Sequence, residues 1–288
     1  MTAETTREIL KRAEPDLTRA ERQLCATLLH NYPMSGLGSI TRLANKAGVS
    51  TPTVVRMVQK LGFSGFPAFQ AALRDELEAQ ISGPIAKHDS WADQAPEGHL
   101  LNRFTDAVMD NMRQTLGQID PAQFDTVAKL MADEDRKLFI SGGRITQSLA
   151  EYLFLHMQVI RAGVTQFPPT SNAWPHAMLD MDPGDVLVIF DVRRYENSAL
   201  KLAKMAVKRG VLVVLISDQW QSPIAKHATH TFNCRIEAPS AWDSMVVVML
   251  LGETLVAAVE NCAWERTRAR MSELEELFDA TKIFRKFV

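Results

Sequence analysis

The sequence predicts an α/β protein in two parts: an all-α N-terminal domain, then a five-stranded, doubly wound parallel sheet. Three observations predict it. Residues 1–80 carry helical periodicity almost throughout. From residue 137, short apolar β-rich runs alternate with stretches of helical length, the pattern of a parallel sheet covered on both faces. Charge is split in the same way. The chain of 288 residues has a formal net charge of −2, yet between Leu17 and Arg74 seven basic residues face a single acid, Glu21. That stretch carries +6, so the remainder carries −8.

The bulk properties exclude several classes. Hydrophobic residues at 46% and charged residues at 23% fit a globular protein with an ordinary core. At roughly 150 residues per domain, the length fits two domains. The opening MTAETTREIL lacks the apolar core of a secretory signal. The longest apolar runs, 211–216 and 245–251, fall far short of the ~20 residues that span a bilayer, so no membrane partner is expected. Cys25, Cys234 and Cys262 are odd in number and far apart, which argues against a disulfide scaffold and for a reducing cytoplasm.

In chain order, residues 1–80 form the first domain. Residues 81–96, ISGPIAKHDSWADQAP, hold Gly, two prolines and mixed polar residues and read as a linker. Two helices follow up to residue 133, the second capped by Asp120 with Pro121 at its first position. Residues 134–288 form the second domain. Its strands are expected at 137–141, 164–167 (the weakest), 185–190, 211–217 and 230–234, with helices over 145–162, 196–209 and 241–264. A tail helix over 267–286 carries Met271, Leu274, Leu277, Phe278 and Phe284 along one side, a stripe suited to the core or to a second subunit. In a doubly wound sheet the ligand crevice lies beyond the carboxyl ends of the strands.

The segment SITRLANKAGVSTPTVVRMVQKLGF reads as two helices joined by a sharp turn. Ser39 caps the first, with Ile40, Leu43 and Ala44 at core spacing. Gly48 supplies the turn and Val49 plugs the core. Ser50 caps the second helix, Pro52 sits near its start, and Val54, Val55, Val58 and Leu61 face inward. Thr51, Thr53, Arg56 and Lys60 are left facing outward. This is a helix-turn-helix with hydroxyl and basic side chains at the start of its recognition helix. Arg42, Lys46, Ser50, Thr51, Thr53, Arg56 and Lys60 are the candidate DNA contacts, reading base edges or phosphates. The plainer alternative is a solvated helical face.

The run LANKAGVSTPTVVRMVQKLGFSGFPAFQAAL resembles the helix-turn-helix of RpiR-type (MurR/RpiR) bacterial transcriptional regulators. The resemblance rests on LA-x-x-AGVS, on the T-V-x-R of the recognition helix and on KLGFSGF-x-x-F. It implies a winged-type N-terminal domain in which Phe63, Phe66 and Phe69 are core. It also implies a sugar isomerase (SIS) domain, a flavodoxin-like sheet that binds phosphosugars, over the second half.

The ligand loops depart from that family's pattern. An ordinary SIS domain reads roughly G-x-G-x-S in its first loop and S-x-S-G-x-T after the third strand, holding phosphate with amides and hydroxyls. Here the first loop is Ser141-Gly142-Gly143-Arg144-Ile145-Thr146, with Ile145 where the serine is expected. The second is Asp191-Val192-Arg193-Arg194-Tyr195-Glu196, with arginines where Ser-Gly would fall. The third loop adds Ser217 and Ser222, the latter good N-cap grammar beside Pro223. Trp174, Trp220, Trp242 and Tyr195 fall nearby, as ring stackers or as core cover. Ser141, Gly142, Gly143, Arg144, Thr146, Asp191, Arg193, Arg194, Ser217 and Ser222 are therefore the candidate ligand residues. The arginines either fork onto an anionic ligand or pair with Asp191, Glu196, Asp218 or a second subunit.

Catalysis is the rival class, since isomerases share the SIS sheet. Glu253 lies where some of them carry a carboxylate, and His156, His176, His227 and His230 are available. None is spaced as a triad or metal site, so no catalytic residue, metal or cofactor is assigned. The expectation is a cytoplasmic transcriptional regulator, not an enzyme. It binds double-stranded operator DNA, senses a small anion such as a sugar phosphate or sugar acid, and works as a homodimer or homotetramer. The alternative is a SIS-type sugar-phosphate isomerase or hydrolase with an accessory helical domain.

Overall fold

The computed structural model describes residues 4–93 and 98–284 and divides into two compact units, Met1–Pro96 and Glu97–Val288. In the first, α1 (Thr6–Ala13), α2 (Arg19–His30), α3 (Ile40–Ala47), α4 (Thr51–Lys60), α5 (Phe66–Ile81) and α6 (Pro84–Asp93) follow one another. Local grammar sets the boundaries. Thr5 with Glu8 and Thr18 with Glu21 form reciprocal capping boxes on α1 and α2. Ser39 caps α3 through the Arg42 N–H, and Gly48 ends it at φ 64°, where a side chain would be strained. Leu24, Leu28, Leu43, Ala44, Val54, Met57, Val58, Phe69 and Leu73 close one core, with Phe63 and Val49 packed against it.

Three expectations need correction here. Met57, not Val55, completes the inner face of α4, because positions 54, 57, 58 and 61 share one helical stripe and Val55 lies one step off it. No wing is present: the described residues of this unit contain no strand, and after the turn at Gly62 the chain enters α5 with Pro67 in its first turn. The stretch taken for a linker holds α6, which begins on Pro84, where a missing N–H goes unneeded. The remainder of that stretch, 94–96, lies outside the described residues.

The second unit opens with α7 (Leu100–Gln118) and α8 (Pro121–Ala132), the latter capped by Asp120 through the Ala122 N–H at 3.0 Å. There follow β1 (Leu138–Gly142), α9 (Gln147–Ile160), β2 (Val164–Gln166), α10 (Trp174–Leu179), β3 (Val186–Phe190), α11 (Asn197–Lys208), β4 (Leu212–Asp218), β5 (His230–Cys234), α12 (Val246–Cys262) and α13 (Trp264–Thr281). The five strands are all parallel in the order β2-β1-β3-β4-β5, the doubly wound sheet that the alternation predicts. Every residue of β3 is buried, as a strand covered on both faces requires. Phe139, Leu187, Ile189, Val213 and Leu215 pack with Trp174 of α10 and Leu202, Ala203 and Ala206 of α11. On the other side, α9 and α12 bury Leu153, Met157, Val248, Leu251 and Leu255.

The last core helix starts at Val246 rather than 241, because residues 235–245 form an irregular segment. The tail helix begins at Trp264, and its stripe is only half-covered: Met271, Leu274 and Phe278 are intermediate, while Leu277 and Phe284 are exposed. The last two residues expected in it, 285 and 286, lie outside the described residues. No single described helix is long and apolar enough to cross a membrane.

Candidate functional site

In the first unit, Ser50 organises the start of α4. Its Oγ accepts the Thr53 N–H at 3.3 Å and lies 2.9 Å from Thr53 Oγ1. Arg56 reaches back to Thr53 Oγ1 at 3.5 Å, so the hydroxyls and the guanidinium form one line along the helix. Arg42 and Arg56 are exposed, and exposed Lys46 touches the Ser35 hydroxyl at 3.2 Å. Thr51 and Thr53 are half-buried. Lys60 is exposed as expected, and its head group is also engaged within the unit. Its ammonium donates to the Asp16 carbonyl at 2.6 Å and to the Glu21 carboxylate at 3.3 Å, tying the end of α4 to the start of α2. Glu21 is held below the usual carboxylate range, first by the Thr18 N–H against its own burial, then by the Thr18 hydroxyl and Lys60.

In the second unit, the predicted ligand residues of β1, β3 and β4 meet at the strand carboxyl ends. The Gly143 N–H donates to Thr146 Oγ1 at 2.8 Å, and the Thr146 hydroxyl donates to the Phe190 carbonyl at 2.8 Å, joining the first loop to β3. The Ser217 hydroxyl donates to the Asp191 carbonyl at 2.7 Å, and Ser217 Oγ accepts the Ser222 N–H at 2.9 Å. The Ser222 hydroxyl donates to the Asp191 carboxylate, which also accepts the Glu196 N–H at 3.3 Å. These hydroxyls serve the loops' own structure, so Ser222 is an N-cap and a carboxylate partner.

Arg193 is the centre of a second network. Its Nε and Nη2 donate to the two Asp243 oxygens at 2.7 and 2.6 Å, a bidentate pair with side chains only 4% and 9% exposed. Its guanidinium lies over the Trp220 ring at 4.1 Å. Its backbone N–H donates to Asp218 at 2.8 Å, and Asp218 also accepts the Tyr195 hydroxyl at 2.6 Å and the Trp220 N–H at 3.0 Å. The Arg193 side chain thus pairs with Asp243, 50 residues away in the segment before α12, an acid that the sequence reading does not name. Arg144 and Arg194 have exposed side chains. Among the described residues no arginine head binds Glu196; its Oε1 accepts the Arg144 backbone N–H at 2.7 Å.

Trp174 is core, its indole N–H on the Pro168 carbonyl at 2.9 Å, whereas Trp242 is exposed. Glu253 accepts the Tyr152 hydroxyl at 3.0 Å, and the Tyr152 ring lies 4.5 Å from the His156 ring. Among the described residues, no three His, Cys, Asp or Glu side chains gather as a metal site. A polar cavity of about 380 Å³ lies at the opposite, amino ends of β1 and β3. Its Asp182 and Asp185 are already bound by Lys137 and by backbone N–H groups, so the strand-end loops remain the better site.

Residues 5–80 match the model of the helix-turn-helix domain of the rpiR family, and residues 130–258 match the SIS domain model. The HTH-type transcriptional regulator RpiR of Escherichia coli (strain K12) is 22% identical over 223 residues, 77% of this chain and 73% of that protein. An uncharacterized HTH-type transcriptional regulator of Thermotoga maritima is 24% identical over 277 residues, 92% of this chain and 98% of its own length. Among solved structures, the Vibrio vulnificus NanR protein complexed with ManNAc-6P shares the fold with a TM-score of 0.55 at 18% identity, covering 94% of this chain and 97% of that one. A helix-turn-helix unit joined to a SIS-type sheet defines a class of DNA-binding regulators. The chain belongs to the RpiR family of helix-turn-helix transcriptional regulators.

Burial pushes both Asp191 and Asp218 up to about 6, opposed in Asp191 by the Ser222 hydroxyl and in Asp218 by the Tyr195 hydroxyl. Their folded values exceed the ordinary 3.8, so the folded chain holds these protons more tightly than the unfolded one. The stability they contribute is present in full below about pH 3.8 and is lost as pH rises through about 6. Urea unfolding midpoints of the intact chain should therefore carry a falling component between about pH 4 and about pH 7, smaller in Asp191→Asn. An identical pH profile in the variant would show that Asp191 titrates normally.

Proposed function

We propose that this chain regulates transcription by binding operator DNA through α3 and α4, and that the crevice of its second unit senses a small anionic metabolite, a sugar phosphate or sugar acid. The observation that carries the DNA reading is the line of Ser50, Thr53 and Arg56 at the start of α4, with Arg42 and Lys46 exposed on α3. Hydroxyls and a planar guanidinium at a helix start suit base edges and phosphates. The sensing reading is supported by the strand-end position of the crevice and by the sugar phosphate held in the related fold of NanR. The crevice binds without turnover in this reading: Asp191 and Asp218 are buried acceptors held by neighbouring donors, and Glu253 is bound to Tyr152. The cytoplasm, where operator DNA is met, is the site of action.

An effector changes operator affinity only by its differential affinity for two states of the protein. Assembly as a homodimer or homotetramer through the second unit is part of the proposal, because paired helix-turn-helix units read paired half-sites. It is supported by exposed Leu155 (55%), Trp264 (44%) and Leu277 (61%). Light scattering of the intact chain at micromolar concentration should give at least twice the monomer mass; a clean monomer would contradict this.

Arg56→Ala should weaken operator binding and make the plot of log affinity against log salt shallower by about 0.9, if Arg56 neutralises one phosphate. Lys60→Met should weaken binding with an unchanged slope if Lys60 acts by holding α4 to α2, and with a shallower slope if it also neutralises a phosphate. Gel shifts over a range of salt measure both. An Arg56→Ala protein that binds like the parent would remove α4 as the reading helix.

A further inference from the structure

Val55 is an apolar side chain that the core of the first unit does not use. The half-buried apolar residues packed against that core include Ile40, Val49 and Phe63; Val55, also half-buried, is not among them. It is the fifth residue of α4, in the middle of the helix. Its neighbours one turn away on the same side are Pro52 and Gln59, both exposed. Pro52, Val55 and Gln59 thus form an uncharged stripe on the outward side of α4, with Arg56 exposed beside it. Valine is also a weaker helix former than alanine or a straight-chain residue. Neither the core nor the helix accounts for it at this position.

The surroundings define what such a stripe can meet. Arg42, Lys46 and Arg56 are exposed on the same helix pair, and the stretch from Leu17 to Arg74 carries +6. A cationic surface of this kind complements phosphate, whereas a second copy of itself would bring like charges together. Between the phosphates of a duplex the major groove displays base edges, and the apolar group among them is the C5 methyl of thymine. In a helix-turn-helix, side chains near the start of the second helix reach those edges. We propose that Val55 is a specificity-determining residue, packing its branched methyls against a thymine C5 methyl in the operator. This rests on reading α4 as the helix that enters the major groove. Hydroxyls bond several bases or phosphates alike. An apolar contact separates thymine from cytosine, whose edge carries an amino donor instead.

The test uses the intact chain and a duplex recovered from a random-sequence library by repeated rounds of binding to it. Each thymine of that duplex is replaced in turn by uracil, which removes the C5 methyl and keeps the base pair. Gel shifts should reveal at least one thymine whose replacement weakens binding by the parent about three- to fivefold, the scale of one buried methyl. In Val55→Ala the same replacement should cost less than about twofold, because alanine is too short to cover that methyl from the same backbone. Alanine is the better helix former, so α4 should persist in the variant. Suppose no replacement affects a parent that still prefers this duplex to random DNA: the inference is then overturned and the DNA reading stands. A loss of equal size in parent and Val55→Ala would assign the methyl to another side chain and overturn it too. A chain that recovers no preferred duplex would overturn both.

Discussion

A buried guanidinium needs an acceptor for each N–H it takes out of water, and that constraint organises the strand-end crevice. The Arg193 side chain is nearly inaccessible, cannot give up its charge, and would be strongly destabilising if left unpaired. Asp243 supplies both acceptor oxygens, Trp220 supplies a ring face, and buried Asp218 fixes the backbone from which Arg193 projects. Asp218 also holds Tyr195 and the Trp220 backbone, so one carboxylate joins the loops after β3 and β4. Through Asp243 the segment before α12 is tied to the same point. Three strand ends are thus held by one chain of charge-assisted bonds, which are stronger than neutral ones.

Much of the fold was legible in the sequence. The central strands β3 and β4 announce themselves as apolar runs because both of their faces are covered. The caps Ser39, Ser50, Asp120 and Ser222 occupy their expected places because each satisfies an orphan N–H within a few residues, a local requirement. The misreadings have equally local causes. Val55 and Met57 are both apolar, and only the helical stripe decides which of them is inside. The wing was implied by resemblance rather than by residues, and α6 was obscured by the Gly-Pro pair, which serves a helix start as readily as a loop.

The site was legible by position and opaque in its pairings. Loop sequences place Ser141, Gly142, Gly143, Asp191, Ser217 and Ser222 together at the strand ends, because parallel βα units always deliver their loops there. Partner choice is a long-range matter. Nothing near Arg193 in sequence distinguishes Asp243 from Asp191, Glu196 or Asp218, and only the path of the chain after β5 brings Asp243 into reach. Lys60 shows the same limit: helical phase marks it as outward, while Glu21 and the Asp16 carbonyl draw its flexible head back to the protein. The charged groups that meet at the strand ends are thus engaged within the chain, Arg193 by Asp243 and Glu196 by the Arg144 N–H, rather than lining an empty basic pocket.

The most direct measurement is a double-mutant cycle on that buried pair, read by urea unfolding of the intact chain. Arg193→Met and Asp243→Asn alone should each destabilise by about 3–5 kcal/mol, because each strands a buried partner. The double variant should recover part of that loss, leaving a coupling well above the ~0.5 kcal/mol scatter of independent sites. Strictly additive effects would contradict the central claim, since Arg193 would then be satisfied by something other than Asp243.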